Sequence, residues 1–320
     1  MAKEKEEFNL NTYLQNQRAA VPEIAYKPEQ YVVMPEPVQK SMMLPGFPLG
    51  HMSMLYGLSD SGKTGILLNA VKNAQQQGIL PVLIITENKL NRDRIRKAGV
   101  DLERIIIVED LKYLEAVYDY ISCKTQEVLD GKLPMNVMVF WDSAAGCPSK
   151  DSFDIKSDGR IEKNFDNRKN ANVIGFYNNI IASRIAETRK LGVPGTVGVV
   201  LVTQAYIGEK PKFPAGLPAP ILPNGGEKIW FPLSVALEIQ EGRRLTADHN
   251  KQKVGFGLVT RIKCKKQHMN ELTSEGEVVL AGSQLFENDN TIIEQFKKDH
   301  KEAWTQILDQ ALAKEEENEN

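Results

Sequence analysis

The chain reads as an α/β protein with a mainly parallel central sheet, extended by antiparallel strands. Three observations predict this. From residue 49 to 203 apolar strand-like runs alternate with helical segments; a glycine-rich turn separates the first strand from its helix; and after residue 234 strands follow one another without helices. Continuous apolar strands bracketed by helices suit a parallel sheet buried on both faces. Strands joined by short connections pair antiparallel.

Taken in order, residues 1–45 carry an amphipathic stretch, Phe8 to Leu14, and a proline-spaced extended run from Tyr31 to Pro37. Too short to enclose a core, they are expected to form an arm for self-association. The core is expected over 46–285. Within it, Met52–Tyr56 reads as a strand, Ile66–Gln77 as a helix stopped by Gly78, and Ile79–Thr86 as a buried strand. Asn91–Ala98 is a short helix closed by Gly99, Ile105–Glu109 a strand, and Leu114–Leu133 a helix. Val137–Trp141 is a strand, Asn170–Leu191 a helix and Thr196–Thr203 a strand. Ser234–Ile239, Gly255–Lys265 and Gly276–Leu280 are the antiparallel additions. Residues 286–320 hold a final helix, Ile292–Lys314, and an acidic tail from Glu315.

Composition bounds the function. Hydrophobic residues make up 42% of 320, enough for a sizeable core, and the net charge of −2 gives no global field for a polyanion. Any nucleic-acid site must be local. The three cysteines, Cys123, Cys147 and Cys264, form no CxxC pair, which argues against a zinc module or disulfide frame and suits a reducing cytoplasm. No secretory apolar run follows Met1, and no stretch is long enough to span a bilayer.

The run Gly57-Leu58-Ser59-Asp60-Ser61-Gly62-Lys63-Thr64 fits the phosphate-binding pattern G-x-x-x-x-G-K-[ST] between a strand and a helix. Its glycines turn successive N–H groups toward a phosphate chain, and the helix N-terminus adds unpaired donors. Gly57, Ser59, Asp60, Ser61, Gly62, Lys63, Thr64 and Gly65 are therefore the expected nucleotide contacts. Lys63 would reach the β/γ-phosphates and Thr64 would place its hydroxyl on Mg²⁺. Asp142, ending the strand Val137–Trp141, is placed to hold Mg²⁺ beside Thr64. Glu87, after the second strand, can orient the attacking water or accept its proton. Gln204 ends the strand before a long segment and can sense a γ-phosphate. That segment, 205–228, holds five prolines and four glycines, so it is expected to be a functional loop. Residues 148–169 form a second loop, where Lys150, Lys156, Arg160, Lys163, Arg168 and Lys169 alternate with five acids.

These residues, in this order, resemble RecA-type DNA strand-exchange recombinases, particularly the bacteriophage UvsX-like branch. The resemblance spans roughly residues 40–285 and is carried by the phosphate loop, Glu87, Gly99-Val100-Asp101, Asp142-Ser143, Gln204, and Gly225-Gly226 followed by Trp230-Phe231. It implies a RecA-type P-loop ATPase core that uses ATP and Mg²⁺. It further implies filaments on single-stranded DNA that pair with double-stranded DNA, helped by a single-strand-binding protein and a mediator. By that resemblance residues 148–169 are the first DNA loop and 205–228 the second. Lys150, Lys156, Arg160, Lys163, Arg168, Lys210, Lys212, Phe213, Gly225 and Gly226 are then the DNA contacts. Glu87 is the catalytic base and Gln204 the switch. Two basic positions on a late strand act on the neighbouring subunit's nucleotide: Lys266 fills one, and Cys264 or His268 stands at the other. Arg94 stands where cellular members stack a tyrosine on adenine, a role that a guanidinium plane can also take. No DNA-binding C-terminal domain of the cellular type is recognisable. A hexameric helicase core of the same fold, or an ATP-regulated scaffold, shares the phosphate loop and carboxylates. The resemblance places the protein in the cytoplasm, of a bacterial host if phage-encoded.

Overall fold

In the computed structural model, which describes residues 9–20, 24–87, 90–155, 158, 160–163, 167–210, 216, 218–249, 252–302 and 305, the segment ahead of the glycine-rich turn divides in two. Helix α1 (Leu10–Ala20) starts where the Asn9 side chain accepts the Thr12 N–H, and it exposes Leu10, Tyr13 and Leu14. Strand β1 (Tyr31–Val33), helix α2 (Glu36–Met42) and strand β2 (Gly46–Pro48) behave differently. β1 pairs antiparallel with β2, and Val32, Met34, Val38 and Met42 are at most 2% exposed within the main apolar cluster. The boundary expected at residue 45 therefore does not divide an arm from the core, since residues 31–44 belong to it. Pro35 and Pro37 read as extended chain, but proline in the first turn loses no hydrogen bond and presets φ, so they begin α2.

The alternating segment follows. It comprises β3 (Met52–Gly57), α3 (Lys63–Gln76), β4 (Leu80–Ile85), α4 (Arg92–Lys97), β5 (Ile106–Val108), α5 (Leu114–Leu129) and β6 (Val137–Asp142). A small hairpin of β7 (Phe153–Ile155) and β8 (Ile161–Lys163) interrupts the first expected loop. Then come α6 (Asn167–Glu187), β9 (Val197–Ile207) and β10 (Ile221–Pro223). β10 pairs with the end of β9, so the proline-rich segment begins and ends in a ladder where it was expected to be irregular. The chain continues through β11 (Leu233–His249), β12 (Gln252–Gln267), β13 (Glu275–Ala281), β14 (Gln284–Glu287) and α7 (Asn290–Asp299). Residues 306–320, including the whole of the expected acidic tail, lie outside the described residues, as does Phe8.

Among the described residues the main sheet runs β14-β13-β12-β11-β3-β9-β6-β4-β5, with β10 beside β9. From β11 to β5 every neighbour is parallel, and β12, β13 and β14 add antiparallel. Strand side chains alternate between two cores. Leu55, Leu83, Phe140, Val200 and Leu237 face the cluster that holds α3 and α2. Met54, Tyr56, Val82, Trp141, Leu201 and Ala236 face the one holding α5 and α6. A third, smaller cluster lies under α7, where Ile293 and Phe296 meet Leu245, Val259 and Val279. Among the described residues no helix is long and apolar enough to cross a membrane.

All three cysteines are free thiols; Cys123 is exposed while Cys147 and Cys264 are buried. Burial pushes the Cys147 thiol up to about 12 and Cys264 up to about 11. Because the thiolate is the reacting form, both should resist modification. A colorimetric thiol reagent at neutral pH is expected to titrate one thiol per native chain and three in denaturant; two fast native thiols would contradict this packing.

Candidate nucleotide-binding site

Parallel pairing brings the carboxyl ends of β3, β4, β6 and β9 to one edge of the sheet, where open α/β sheets place their ligands. Between β3 and α3 the chain wraps into a tight loop. A Cβ on Gly57 would stand 2.0 Å from the Ile239 carbonyl oxygen, and one on Gly62, at φ 99°, would stand 2.6 Å from Thr260 Oγ1. No other residue fits either position. Thr260 Oγ1 donates to Ser61 O at 3.1 Å and so ties the loop to β12.

A cavity of about 310 Å³ opens at this edge. Ser59 to Gly65 line it, with Glu87, Arg94, Asp142, Ser143 and Gln204; Leu258 and Leu280 close it from β12 and β13. The expected nucleotide residues are thus brought together, with Gly57 at the root of the loop. Lys63 is buried, and its ammonium donates to Gly57 O at 2.9 Å and Leu58 O at 2.6 Å. Thr64 Oγ1 donates to Asp142 Oδ2 at 2.9 Å. This hydroxyl and carboxylate are the hard oxygen donors that suit Mg²⁺, which takes one or two protein groups and completes its shell with phosphate and water. Among the described residues no group of three or more His, Cys, Asp or Glu is arranged to hold a metal ion. Arg94 borders both this cavity and an adjoining one lined by Leu68, Lys97, Leu280 and Ser283.

Glu87 follows β4 after one intervening residue, Thr86. Its Oε1 accepts from Ser143 Oγ and, at 3.4 Å, from Gln204 Nε2. Gln204 does not end its strand as expected, because β9 runs on to Ile207, but it pairs with Gly57 in register and still reaches the site. Ser143, Thr86 and Trp141 were not expected to serve the site. The Asp-Ser pair was the available signal for the first; nothing in the pattern marked the other two.

The expected DNA residues fall less uniformly. Lys150 and Lys210 are exposed. Arg160 is exposed too, but its guanidinium is paired with Asp158 at 2.5 Å. Lys156, Lys212 and Phe213 lie outside the described residues; the backbones of Lys163 and Arg168 are in β8 and α6 and their side chains are not described. Gly225 and Gly226, at φ 118° and 70°, turn the chain after β10. They line a second cavity of about 590 Å³ with Ala144, Cys147, Asn170, Ile174 and Tyr206, between the roots of the two segments. Lys266 does not line the nucleotide cavity of its own chain; its ammonium donates to Trp230 O and Phe231 O. Of the two residues left open beside it, Cys264 is buried in the main core and cannot project from the surface, whereas His268 is exposed.

Comparison with known proteins agrees with this picture over part of the chain. Residues 36–119 match the RecA N-terminal domain. Protein RecA of Leifsonia xyli subsp. xyli (strain CTCB07) is 39% identical over 62 residues, 19% of this chain and 17% of its own length. Protein RecA of Nocardioides sp. (strain ATCC BAA-499 / JS614) is 39% identical over 64 residues, 20% and 18% of the two chains. That of Chlorobaculum parvum (strain DSM 263 / NCIMB 8327) is 36% identical over 62 residues, 19% and 18%. The chain thus spans under a fifth of the length of these curated relatives. A mostly parallel sheet extended by antiparallel strands is consistent with a RecA-type core.

Burial pushes the Asp142 carboxyl above its ordinary range and nearby Glu87 adds to this, while Thr64, Lys63 and Arg94 pull the other way. A raised folded-state value means that the ionised form is disfavoured by folding. The penalty is present above the folded value and vanishes as pH falls through it to the ordinary carboxylate range. Asp142→Asn is therefore expected to raise the melting temperature of the nucleotide-free protein at neutral pH, by an amount that shrinks in acid, while Mg²⁺-dependent nucleotide binding is lost. Calorimetry across pH checks the first effect and nucleotide titration with and without Mg²⁺ the second.

Proposed function

We propose that this chain is an ATP-dependent DNA recombinase that forms filaments on single-stranded DNA and promotes homologous pairing and strand exchange with double-stranded DNA. The observation that carries the reading is Gln204, which touches Glu87 in the nucleotide cavity and belongs to the strand that leads into residues 208–220. Its carbonyl also accepts the Asn224 N–H at 2.8 Å, at the far end of the same segment. Similarity of residues 36–119 to the RecA N-terminal domain supports the class. The finer assignment to the bacteriophage UvsX-like branch rests on the sequence resemblance, with Arg94, in place of the tyrosine of cellular members, as a departure from the cellular pattern. A single-strand-binding protein and a mediator are the expected helpers.

In this reading Lys63 and the loop N–H groups hold the phosphates, and Thr64 and Asp142 hold Mg²⁺. Bound Mg²⁺ supplies neutralisation of the β/γ-phosphate charge. Glu87 orients the attacking water and takes its proton. Gln204 reports the γ-phosphate to the second loop. Lys266, freed from the Trp230 and Phe231 carbonyls, stabilises charge on the neighbouring subunit's nucleotide, and exposed His268 is its companion. Lys150, Arg160 and Lys210 meet DNA phosphates. Because Arg160 is already paired with Asp158, each subunit contributes few charges, and affinity comes from many subunits on one strand. Self-association uses the exposed apolar face of α1.

Single-stranded DNA is expected to stimulate ATP hydrolysis and ATP to strengthen DNA binding, with strand exchange between homologous substrates as the decisive assay. Equal binding to duplex and single strand without any nucleotide effect would favour the helicase or scaffold. Glu87→Gln should bind ATP but turn over about 10²–10⁴-fold more slowly. Mixing Lys266→Ala with Glu87→Gln subunits, each inactive alone, should recover partial DNA-stimulated hydrolysis at junctions where both groups are intact; no recovery at any ratio rejects action in trans. Deleting residues 1–20, which spares the packed segment 31–44, should leave an ATP-binding protein that no longer forms filaments. Filaments of undiminished length in electron micrographs would remove α1 from assembly.

A further inference from the structure

We propose that Thr86 and Trp141 are positioning residues that aim the Glu87 carboxylate through Ser143; this rests on the reading of Glu87 as the group that handles the attacking water. Three hydrogen bonds converge on Thr86, the residue just before Glu87. Its N–H donates to Asp142 O at 2.9 Å, its hydroxyl donates to Ser143 O at 2.7 Å, and the same oxygen accepts Trp141 Nε1–H at 3.1 Å. An indole N–H can only donate and a carbonyl can only accept, so the hydroxyl has a single orientation that serves both. The peptide carrying Ser143 is thereby pinned, and Ser143 Oγ donates to Glu87 Oε1.

The far end of the frame is equally fixed. Trp141 is 1% exposed and meets Tyr118 edge-on at 5.4 Å, and the Tyr118 hydroxyl donates to Asn178 Oδ1 at 2.8 Å. The turn at Gly146 also comes so near that a Cβ there would stand 2.7 Å from Glu87 Cγ. The Gly146 backbone limits the room of the Glu87 side chain, while Ser143 and Gln204 hold its Oε1. Neither Thr86 nor Trp141 needs to touch nucleotide to matter. Removing the Thr86 hydroxyl would orphan a buried indole N–H, leave the Ser143 carbonyl only the longer bond from the Gly146 N–H at 3.3 Å, and loosen the peptide that holds Ser143.

Thr86→Val keeps the shape and deletes the hydroxyl. In the full chain with single-stranded DNA, its kcat for ATP hydrolysis is expected to fall by about 10- to 100-fold, the cost of a misaimed catalytic group, with KM for ATP and nucleotide affinity unchanged. Thr86→Ser should restore kcat, and Trp141→Phe, which deletes only the N–H and the indole's second ring, should reproduce part of the loss. If Thr86→Val does not fold, Trp141→Phe and Thr86→Ser carry the same comparison. Wild-type kcat in Thr86→Val alongside an inactive Glu87→Gln would overturn the positioning role alone. So would parallel loss of kcat and nucleotide affinity that serine does not rescue, since that marks a merely structural part. Wild-type hydrolysis by Glu87→Gln would remove the catalytic reading and this proposal with it.

Discussion

The site depends on the burial of β3. All six of its residues are buried between β9 and β11, and their side chains alternate between two separate cores. That alternation locks register, because a slip of one residue would exchange Tyr56 for Leu55 and turn each toward the wrong cluster. Register in turn sets Gly57 opposite Gln204 and Tyr56 opposite Glu238, and through β9 it sets the height of β6 and hence of Asp142. The distance from Thr64 to Asp142 is thus settled by apolar packing below the site rather than by any attraction within it.

Two buried carboxylates near the loop show how differently the protein treats charge. Glu238 is 4% exposed, but its oxygens accept from Tyr56 and Gln240 and lie 3.9 Å from the Lys265 ammonium. Burial, with Glu238 as the next cause, pushes the Tyr56 hydroxyl far above its ordinary value, so the hydroxyl keeps the proton it donates. A buried charge so well supplied with donors can be a fixed part of the frame. Asp142 is similarly buried but has the Thr64 hydroxyl as its side-chain partner and its carboxyl is pushed up. It is held at a cost that a cation would relieve. Such a contrast is what the proposed Mg²⁺ role of Asp142 calls for.

Much of the site was legible because its parts are local. A glycine-rich turn between strand and helix specifies a phosphate cradle within eight residues, and residues that end or follow parallel strands must arrive at the same edge. What escaped were contributions from distant chain. Leu258, Thr260 and Leu280 complete the loop's surroundings from strands far along the sequence, and no spacing rule announces them. Proline misled twice. Pro35 and Pro37 suggested extended chain but suit a helix start, and the prolines of 205–228 suggested a loop although Pro223 closes β10, beside the projecting end of β9, where an edge position tolerates it. β11 runs on to His249, well beyond its expected end at Ile239, because its distal half, with Arg243 and Arg244 exposed, leaves the main core and loses the apolar pattern that marks a strand. β12 differs less, beginning at Gln252 rather than Gly255 and ending at Gln267 rather than Lys265.

The segment from Gln204 to Phe231 is tied to the nucleotide site at both ends. At its start Gln204 meets Glu87. At its end the carbonyls of Trp230 and Phe231 hold the Lys266 ammonium, and the Trp230 ring meets Tyr56, one residue before the phosphate loop, edge-on at 5.4 Å. Burial lowers the pKa of Lys266, so these carbonyls hold an ammonium that is less well solvated than one in water and gains by finding a new anionic partner. A ligand can shift such an arrangement only by the difference in its affinity for the two arrangements of the segment. DNA bound along residues 208–220 would have two places to exert that difference, one on the carboxylate of the same subunit and one on the cation offered to the next. In the proposed function, hydrolysis and DNA binding would be coupled through a single stretch of chain held at its two roots, with no change required in the sheet that supports them.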